Sequence, residues 1–309
     1  MSDDAINAAR DALSGLDLFA GASTDTIDVS RLGGLTNLVF RVAHNGTAYC
    51  LRLPGKGTEE YIDRAVEAHN AHAAARAGVS PEVIHADAET GIMVTQFLDG
   101  TTTMTPEFFA STPGAPGRAA EAFHQLHTSG ETFEFRFELF AMIDEYLGVL
   151  SGKKVDFPDG YHDVLKEAEA VRAALNAKPA ALAPCHCDPL SENFLDTGER
   201  MWIVDWEYSG MNDPLWDLGD VSVEAGFNAA QDEEMMNAYF AGGPGDAEMG
   251  RMVIYKAMCD LLWTLWGLIQ HANENPAEDF WDYSTGRFAR CKALMNDPGF
   301  VNHLRAVGG

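Results

Sequence analysis

The densest polar run in the chain is Cys185-His186-Cys187-Asp188-Pro189-Leu190-Ser191-Glu192-Asn193, which holds an H-x-D-x-x-x-x-N spacing. After it come Phe194-Leu195, the turn residues Asp196-Thr197-Gly198-Glu199, and Met201-Trp202-Ile203-Val204-Asp205, the pattern of a β-hairpin that ends in an acid. In an antiparallel hairpin the residue entering the first strand faces the residue leaving the second, with direct pairs about 5 Å apart at Cβ. Asn193 and Asp205 are therefore expected to converge. An amide oxygen beside a carboxylate is a hard ligand pair suited to Mg²⁺, which keeps waters and binds substrate phosphates. Asp188, on the loop just before them, is then free to accept a proton. This is the set used in phosphoryl transfer: Asp188 as the base that orients and deprotonates a hydroxyl, Asn193 and Asp205 as the metal pair.

That chemistry also needs a cover over the phosphates and a cation beside them. Gly33-Gly34-Leu35-Thr36-Asn37 stands between the first two β-type runs, where backbone amides without side chains can approach phosphate oxygens closely. Arg52 lies on the third strand, and Glu67, on the helix that follows, is its natural ion-pair partner. Taken alone, Arg52 reads as an exposed strand residue and Glu67 as a solvated helix residue; their order relative to the other motifs favours the pair.

The elements that must position these groups divide the chain in two. Up to about Gln96 the pattern is of short strands broken by one helix: residues 39–42, the turn signal Asn45-Gly46, residues 48–53, then runs at 83–85 and 92–95. The helix is expected from an N-cap at Thr58 to about Ala77, with Gly78 at C′ and Pro81 preventing continuation. Residues 96–100 read as a connector and 106–117 as a loop. Helical patterns then occupy roughly 118–128, 138–150, 161–177, 231–240 and 250–272. The expectation is an α+β protein of two lobes, an N-terminal nucleotide-binding lobe over 1–98 and a C-terminal catalytic and acceptor-binding lobe over 99–309.

Composition narrows the partners. The chain has 309 residues, 46% of them hydrophobic, enough for a large core. Its 21 Lys plus Arg against 47 Asp plus Glu give a net charge of −26, which repels nucleic acid and anionic lipid. There is no run of eighteen apolar residues and the first residues carry no basic segment, so neither membrane insertion nor a signal peptide is expected. The five cysteines are odd in number and irregularly spaced, unlike a disulfide framework, and Cys185 and Cys187 have no second close pair with which to hold zinc. A cytoplasmic location is expected. The oligomeric state stays open, a homodimer being compatible.

Beyond its spacing, the chain resembles the choline/ethanolamine kinase family within the aminoglycoside-phosphotransferase-like kinases. The resemblance rests on Cys185-His186-Cys187-Asp188 through Asn193, on Ile203-Val204-Asp205-Trp206-Glu207-Tyr208-Ser209-Gly210, on Asn212-Asp213-Pro214 and on Asp217-Leu218-Gly219. Gly33 to Asn37, Leu51-Arg52-Leu53-Pro54-Gly55-Lys56 and the segment from Trp263 to Gln270 extend it over nearly the whole chain. It implies a protein-kinase-like fold with a small antiparallel-sheet lobe carrying one main helix and a larger, mainly helical lobe. It also implies MgATP as donor, with Arg52 on the α/β-phosphates, adenine held by the backbone of Gln96-Phe97-Leu98, and a small amino alcohol as acceptor. Asp205 is followed by Trp206-Glu207 rather than Phe-Gly, and no Ala-Pro-Glu segment follows, which argues against a protein substrate.

A quaternary ammonium offers no hydrogen-bond donor, so only charge and aromatic faces can hold it. By resemblance, Tyr208, Glu224, Trp263, Trp266 and Tyr283 would build such a box, the two tryptophans sharing a helix face at i, i+3. Residues 261–269 on their own are apolar nearly all round and read equally as a core helix. Phosphorylation of choline is the leading expectation; ethanolamine, a thiamine-like alcohol or an aminoglycoside are alternative acceptors. A nucleotide-binding pseudokinase is disfavoured because Asp188, Asn193 and Asp205 are all present. His186 is expected to brace the catalytic loop, and Glu207 and Asp217 to cap or brace the loop after Asp205.

Overall fold

The computed structural model describes residues 3–22, 26–33, 37–55, 58 and 62–309. It begins with helix α1 (Asp3–Ser14), then strands β1 (Asp28–Gly33), β2 (Leu38–His44) and β3 (Thr47–Leu53), helix α2 (Arg64–Arg76), and strands β4 (Val83–Ala86) and β5 (Met93–Gln96). The strands form one antiparallel sheet in the order β1-β2-β3-β5-β4. Asn45 and Gly46 both take positive φ, 50° and 81°, so the two-residue turn has the twist that keeps β2 and β3 paired from Leu38↔Leu53 to His44↔Thr47. One face of the sheet buries Phe40, Val42, Leu51 and Val94 against Ala9, Leu13 and Leu16, the i, i+4, i+7 stripe of the α1 region. Because side chains alternate along a strand, Arg52 points to the opposite face from Leu51, toward α2.

The remainder is mainly helical: α3 (Pro106–Ser111), α4 (Ala115–His127), α5 (Leu139–Ser151), α6 (Tyr161–Ala177), α7 (Leu215–Glu224), α8 (Ala229–Tyr239), α9 (Asp246–Ala272), α10 (Phe280–Met295) and α11 (Phe300–Gly308). Short strands lie among them: β7 (Ala183–Cys185) pairs with β10 (Gly210–Asn212), and β6 (Thr102–Thr103), β8 (Phe194–Asp196) and β9 (Met201–Ile203) form a second small sheet. The long α9 runs through the core and packs on α5, α7, α10 and α11. It is long and apolar enough to cross a membrane, but 78% of its apolar window is buried inside the protein, as in a core helix.

The two-lobed, protein-kinase-like α+β fold is thus the one expected, with local corrections. Helix α2 starts at Arg64, not after Thr58: the Asp63 carboxylate accepts the Ala65 and Val66 N–H groups at 2.9 and 3.2 Å. Thr58 instead donates its hydroxyl to the Gly55 carbonyl. Glu67 therefore sits in the first turn rather than mid-helix. Part of the 106–117 stretch is helical, because Thr105 caps Phe108 N–H and Pro106 suits a first turn. Helices α1, α7, α10 and α11 were not among those expected.

Candidate functional site

The loop that carries Asp188 is held from behind by three side chains. Asp217, in the first turn of α7 and fully buried, accepts the backbone N–H of His186 at 2.7 Å and that of Cys187 at 2.8 Å. His127 stands 3.0 Å from the same carboxylate and 2.9 Å from the Tyr239 hydroxyl. The His186 ring lies 2.9 Å from the Val204 carbonyl through Nε2, while Nδ1 accepts the Asp188 N–H at 3.3 Å. That arrangement suits a neutral imidazole, and burial lowers its pKa. Trp216 donates its indole N–H to the Cys187 carbonyl, at a residue with φ of 68°. His186 braces the loop as expected; Asp217 braces the catalytic loop rather than the segment after Asp205.

The hairpin brings the expected pair together. Phe194 is paired with Ile203, and Val204 N–H donates to the Asn193 carbonyl at 3.0 Å, so Asn193 and Asp205 stand at the open end. Asn193 uses its amide NH₂ on the Asp188 carbonyl at 3.1 Å, which leaves its side-chain oxygen for a ligand. Asp205 adopts a φ of 69°, and its Oδ1 is buried with no hydrogen-bond partner. Burial, then the adjacent Glu207, drive its carboxyl well above the usual carboxylate range. Asp188 is pushed up to about 8, again by burial first and by Glu224 and Glu207 next.

Arg52 and Glu67 form the expected pair, both guanidinium Nη atoms meeting both carboxylate oxygens, with Nη2 to Oε2 at 2.9 Å. Two residues that sequence reasoning missed or left as braces join them. Arg64 reaches Glu67 at 2.7 Å and Glu207 at 3.1 Å, and Glu207 also accepts from Asn37 Nδ2 at 3.1 Å. Arg52 lies 3.8 Å from Glu207 and 4.0 Å from Asp205. Asn37 in turn accepts the Gly55 N–H at 3.1 Å. The i, i+3 spacing of Arg64 and Glu67 was the available signal for the first; only the fold brings in Glu207. Gly33 ends β1, whereas Gly34 and Thr36 lie outside the described residues. In the connector, Gln96 N–H donates to Glu82 and Phe97 N–H to Ala48, so of these three residues only Leu98 is left to donate a backbone N–H to a base.

Of the five residues expected in the aromatic box, four form two ring pairs, and the fifth, Glu224, is linked to one of those pairs through Arg287. Tyr208 meets Trp263 edge-on at 5.6 Å between ring centroids, and Trp266 meets Tyr283 at 5.8 Å. The indole N–H groups of both tryptophans are buried without hydrogen-bond partners. Glu224 is paired with Arg287 at 2.6 Å, and that guanidinium also lies 4.5 Å from the Tyr283 ring centre. Arg287 was not expected; it is one turn beyond Tyr283 on α10, a helix for which no signal had been read.

Asp188 on a braced loop, Asn193 and Asp205 at a hairpin end and a paired Arg52 under a sheet are groups suited to phosphoryl transfer. Residues 28–255 match the APH phosphotransferase enzyme family. The chain is 63% identical to a choline/ethanolamine kinase family protein of Mesorhizobium loti of known structure, over 98% of this chain and 99% of that one, with a TM-score of 0.90. It is 26% identical to the choline kinase LicA of Streptococcus pneumoniae, over 94% and 98% of the two chains, with a TM-score of 0.78. A LicA structure in complex with AMP is 25% identical over 94% and 97%, with a TM-score of 0.74. The chain belongs to the APH phosphotransferase enzyme family and, within it, to the choline/ethanolamine kinase family, and it is a small-molecule kinase that uses a nucleotide.

Proposed function

We propose that the protein transfers the γ-phosphoryl group of ATP to the hydroxyl of choline, giving the phosphomonoester and ADP. The observation that carries this reading is the pair of aromatic contacts on α9, Tyr208 on Trp263 and Tyr283 on Trp266, with Glu224 near enough to Asp188 to raise its carboxyl. Aromatic faces fit a trimethylammonium head group, each favourable contact contributing about 0.5–2 kcal/mol.

In this reading Asp188 accepts the proton of the acceptor hydroxyl as its oxygen attacks phosphorus. Arg52, held by Glu67, binds the α/β-phosphates. Leu98 donates to adenine, flanked by Gln96 and Phe97. Asn193 and Asp205 would hold Mg²⁺, which would supply neutralisation of the charge that develops on the phosphates. The buried Asp205 Oδ1, with no hydrogen-bond partner and Arg52 only at 4.0 Å, fits that role, because such an oxygen gains from a closer cation. The division between lobes falls after Leu98, between the last strand of the large sheet and the first helix beyond it.

The test is ADP release with MgATP across choline, ethanolamine, their N-methyl intermediates, thiamine and an aminoglycoside. Selective turnover of choline is expected. Preference for ethanolamine would keep the phosphoryl-transfer residues and remove the argument from the aromatic box. Nucleotide binding without turnover of any of them would overturn the assignment.

A further inference from the structure

Asp220 and Glu224 stand one turn apart on α7, which packs on α9, and Cys259 stands one turn before Trp263 on α9. The Cys259 thiol donates to Asp220 Oδ1 at 2.8 Å, and ligand atoms of Asp220, Glu224 and Cys259 all lie within 4.8 Å of one another. Asp220 and Cys259 are fully buried, and Asp220 Oδ2 has no hydrogen-bond partner. Arg287 reaches the group through Glu224 at 2.6 Å, but it is shared with Asp260 at 3.3 Å. Burial first, then neighbouring carboxylates, raise both the Asp220 carboxyl and the Cys259 thiol well above their usual ranges, with Arg287 opposing. A second thiol cluster, His127, Cys185 and Asp217, differs in that its ligand atoms are already engaged. Asp217 is taken up by two backbone N–H groups, and His127 by Asp217 and Tyr239.

We infer that Asp220, Glu224 and Cys259 form a site for a thiophilic divalent cation of the Zn²⁺ class, which blocks the acceptor box when it binds. Two carboxylates and a thiolate, with a fourth position open to water, suit tetrahedral zinc, whereas Mg²⁺ takes oxygen ligands. The ion supplies the positive charge that the buried group lacks, and its binding displaces the thiol and carboxyl protons. Glu224 keeps Arg287 on one oxygen and offers the other, since an ionised carboxylate accepts at both. Entry is from the acceptor side, where Glu224 and Asp188 are half-buried rather than enclosed. With Glu224 drawn onto the metal, a cationic acceptor loses a carboxylate near Asp188 and meets a dication instead. The block of the acceptor rests on the amino-alcohol kinase reading; the binding of the metal does not.

The experiment uses Cd²⁺ to read binding and Zn²⁺ to read activity, because the two ions share a preference for thiolate and a cadmium-bound thiolate has an ultraviolet charge-transfer band. Titration of the wild-type protein with Cd²⁺ is expected to develop this band. Cys259→Ser, which keeps the size of the side chain and a donor for Asp220, is expected to lose most of it. No band in the wild type, or a band of equal size in the two proteins, overturns the inference. In ADP release with MgATP and choline, Zn²⁺ is expected to lower kcat/KM for choline while the KM for ATP holds. Cys259→Ser should keep its basal turnover and need about 100-fold more Zn²⁺ for the same inhibition, since loss of even an outer partner of a metal ligand costs about 10- to 100-fold. Equal sensitivity to Zn²⁺ in the two enzymes overturns the inference. Should Cys259→Ser fail to melt cooperatively, Cys259→Ala takes its place in both assays. A wild-type enzyme that phosphorylates no alcohol removes the functional reading and leaves the thiolate band to decide the metal site.

Discussion

The backbone N–H of His186 donates to the Asp217 carboxylate at 2.7 Å, across 31 residues of chain. With Cys187 N–H on the other oxygen, this one buried side chain sets the path of the loop that presents Asp188. An amide at this position keeps an acceptor for one of these N–H groups but turns its NH₂ toward the other. Asp217→Asn is therefore expected to destabilise the protein by about 1–3 kcal/mol, the cost of buried donors left unpaired, and to lower turnover more than KM. Urea unfolding and steady-state kinetics check both.

Asp188→Asn and Asp205→Asn should separate activity from stability. Each removes a carboxyl group whose protonated form the fold favours through burial and neighbouring carboxylates, so the melting temperature without nucleotide is expected to hold or rise. Turnover should fall by about 10²–10⁴-fold or more in Asp188→Asn, the usual contribution of a positioned base. Near-wild-type rates in either variant would refute the assigned roles.

Arg52 is held by a fork-shaped contact that lysine does not reproduce. Arg52→Lys should raise the KM for ATP while leaving the KM for the acceptor in place. Arg52→Met should in addition destabilise the fold by about 3 kcal/mol, since Glu67 then keeps only Arg64. An unchanged KM for ATP would remove Arg52 from the phosphate site.

Trp266→Ala should discriminate between acceptors. Loss of one aromatic face costs about 0.5–2 kcal/mol for a quaternary ammonium, so the KM for choline is expected to rise by about 2- to 30-fold. Ethanolamine, which can use hydrogen bonds, should be affected less. Equal losses would indicate a packing role.

The raised carboxyls fix opposite pH trends for stability and activity. Asp188 titrates near about 8, above its unfolded value, so folding favours its protonated form. That contribution is complete below about pH 4 and is lost as pH rises through about 8. Asp205 and Asp220 shift in the same direction. Without ligands the protein should melt at lower temperature as pH rises through this window, and Asp188→Asn should flatten the trend. The base, by contrast, works only when ionised, so kcat/KM should increase over the same interval.

Local chemistry made much of this legible. Asn45-Gly46 specifies its turn through positive φ at both positions. The hairpin after Asn193 follows from alternation and a glycine turn. The box drew on resemblance, because a tryptophan pair on an apolar helix is indistinguishable by periodicity from core packing. Trp263 is in fact almost wholly buried, at 3% exposure, while its ring also meets Tyr208. What stayed hidden were relationships between distant segments: Asp217 under the catalytic loop, Glu207 joined to Arg64 and Asn37, and Arg287 on Glu224. Nothing local marks a carboxylate as the partner of an N–H some thirty residues away. The start of α2 was misplaced because Thr58 and Asp63 are both good caps, and the choice depends on where Thr58 finds other hydrogen bonds.

Asp188's high pKa also bears on how the protein treats ATP when no acceptor is present. A base whose protonated form is favoured by burial and by neighbouring carboxylates is a weak activator of water, so slow hydrolysis of ATP is expected without an acceptor. In the proposed reaction a cationic acceptor beside Asp188 would favour its ionised form, so that the base would strengthen as the alcohol arrives.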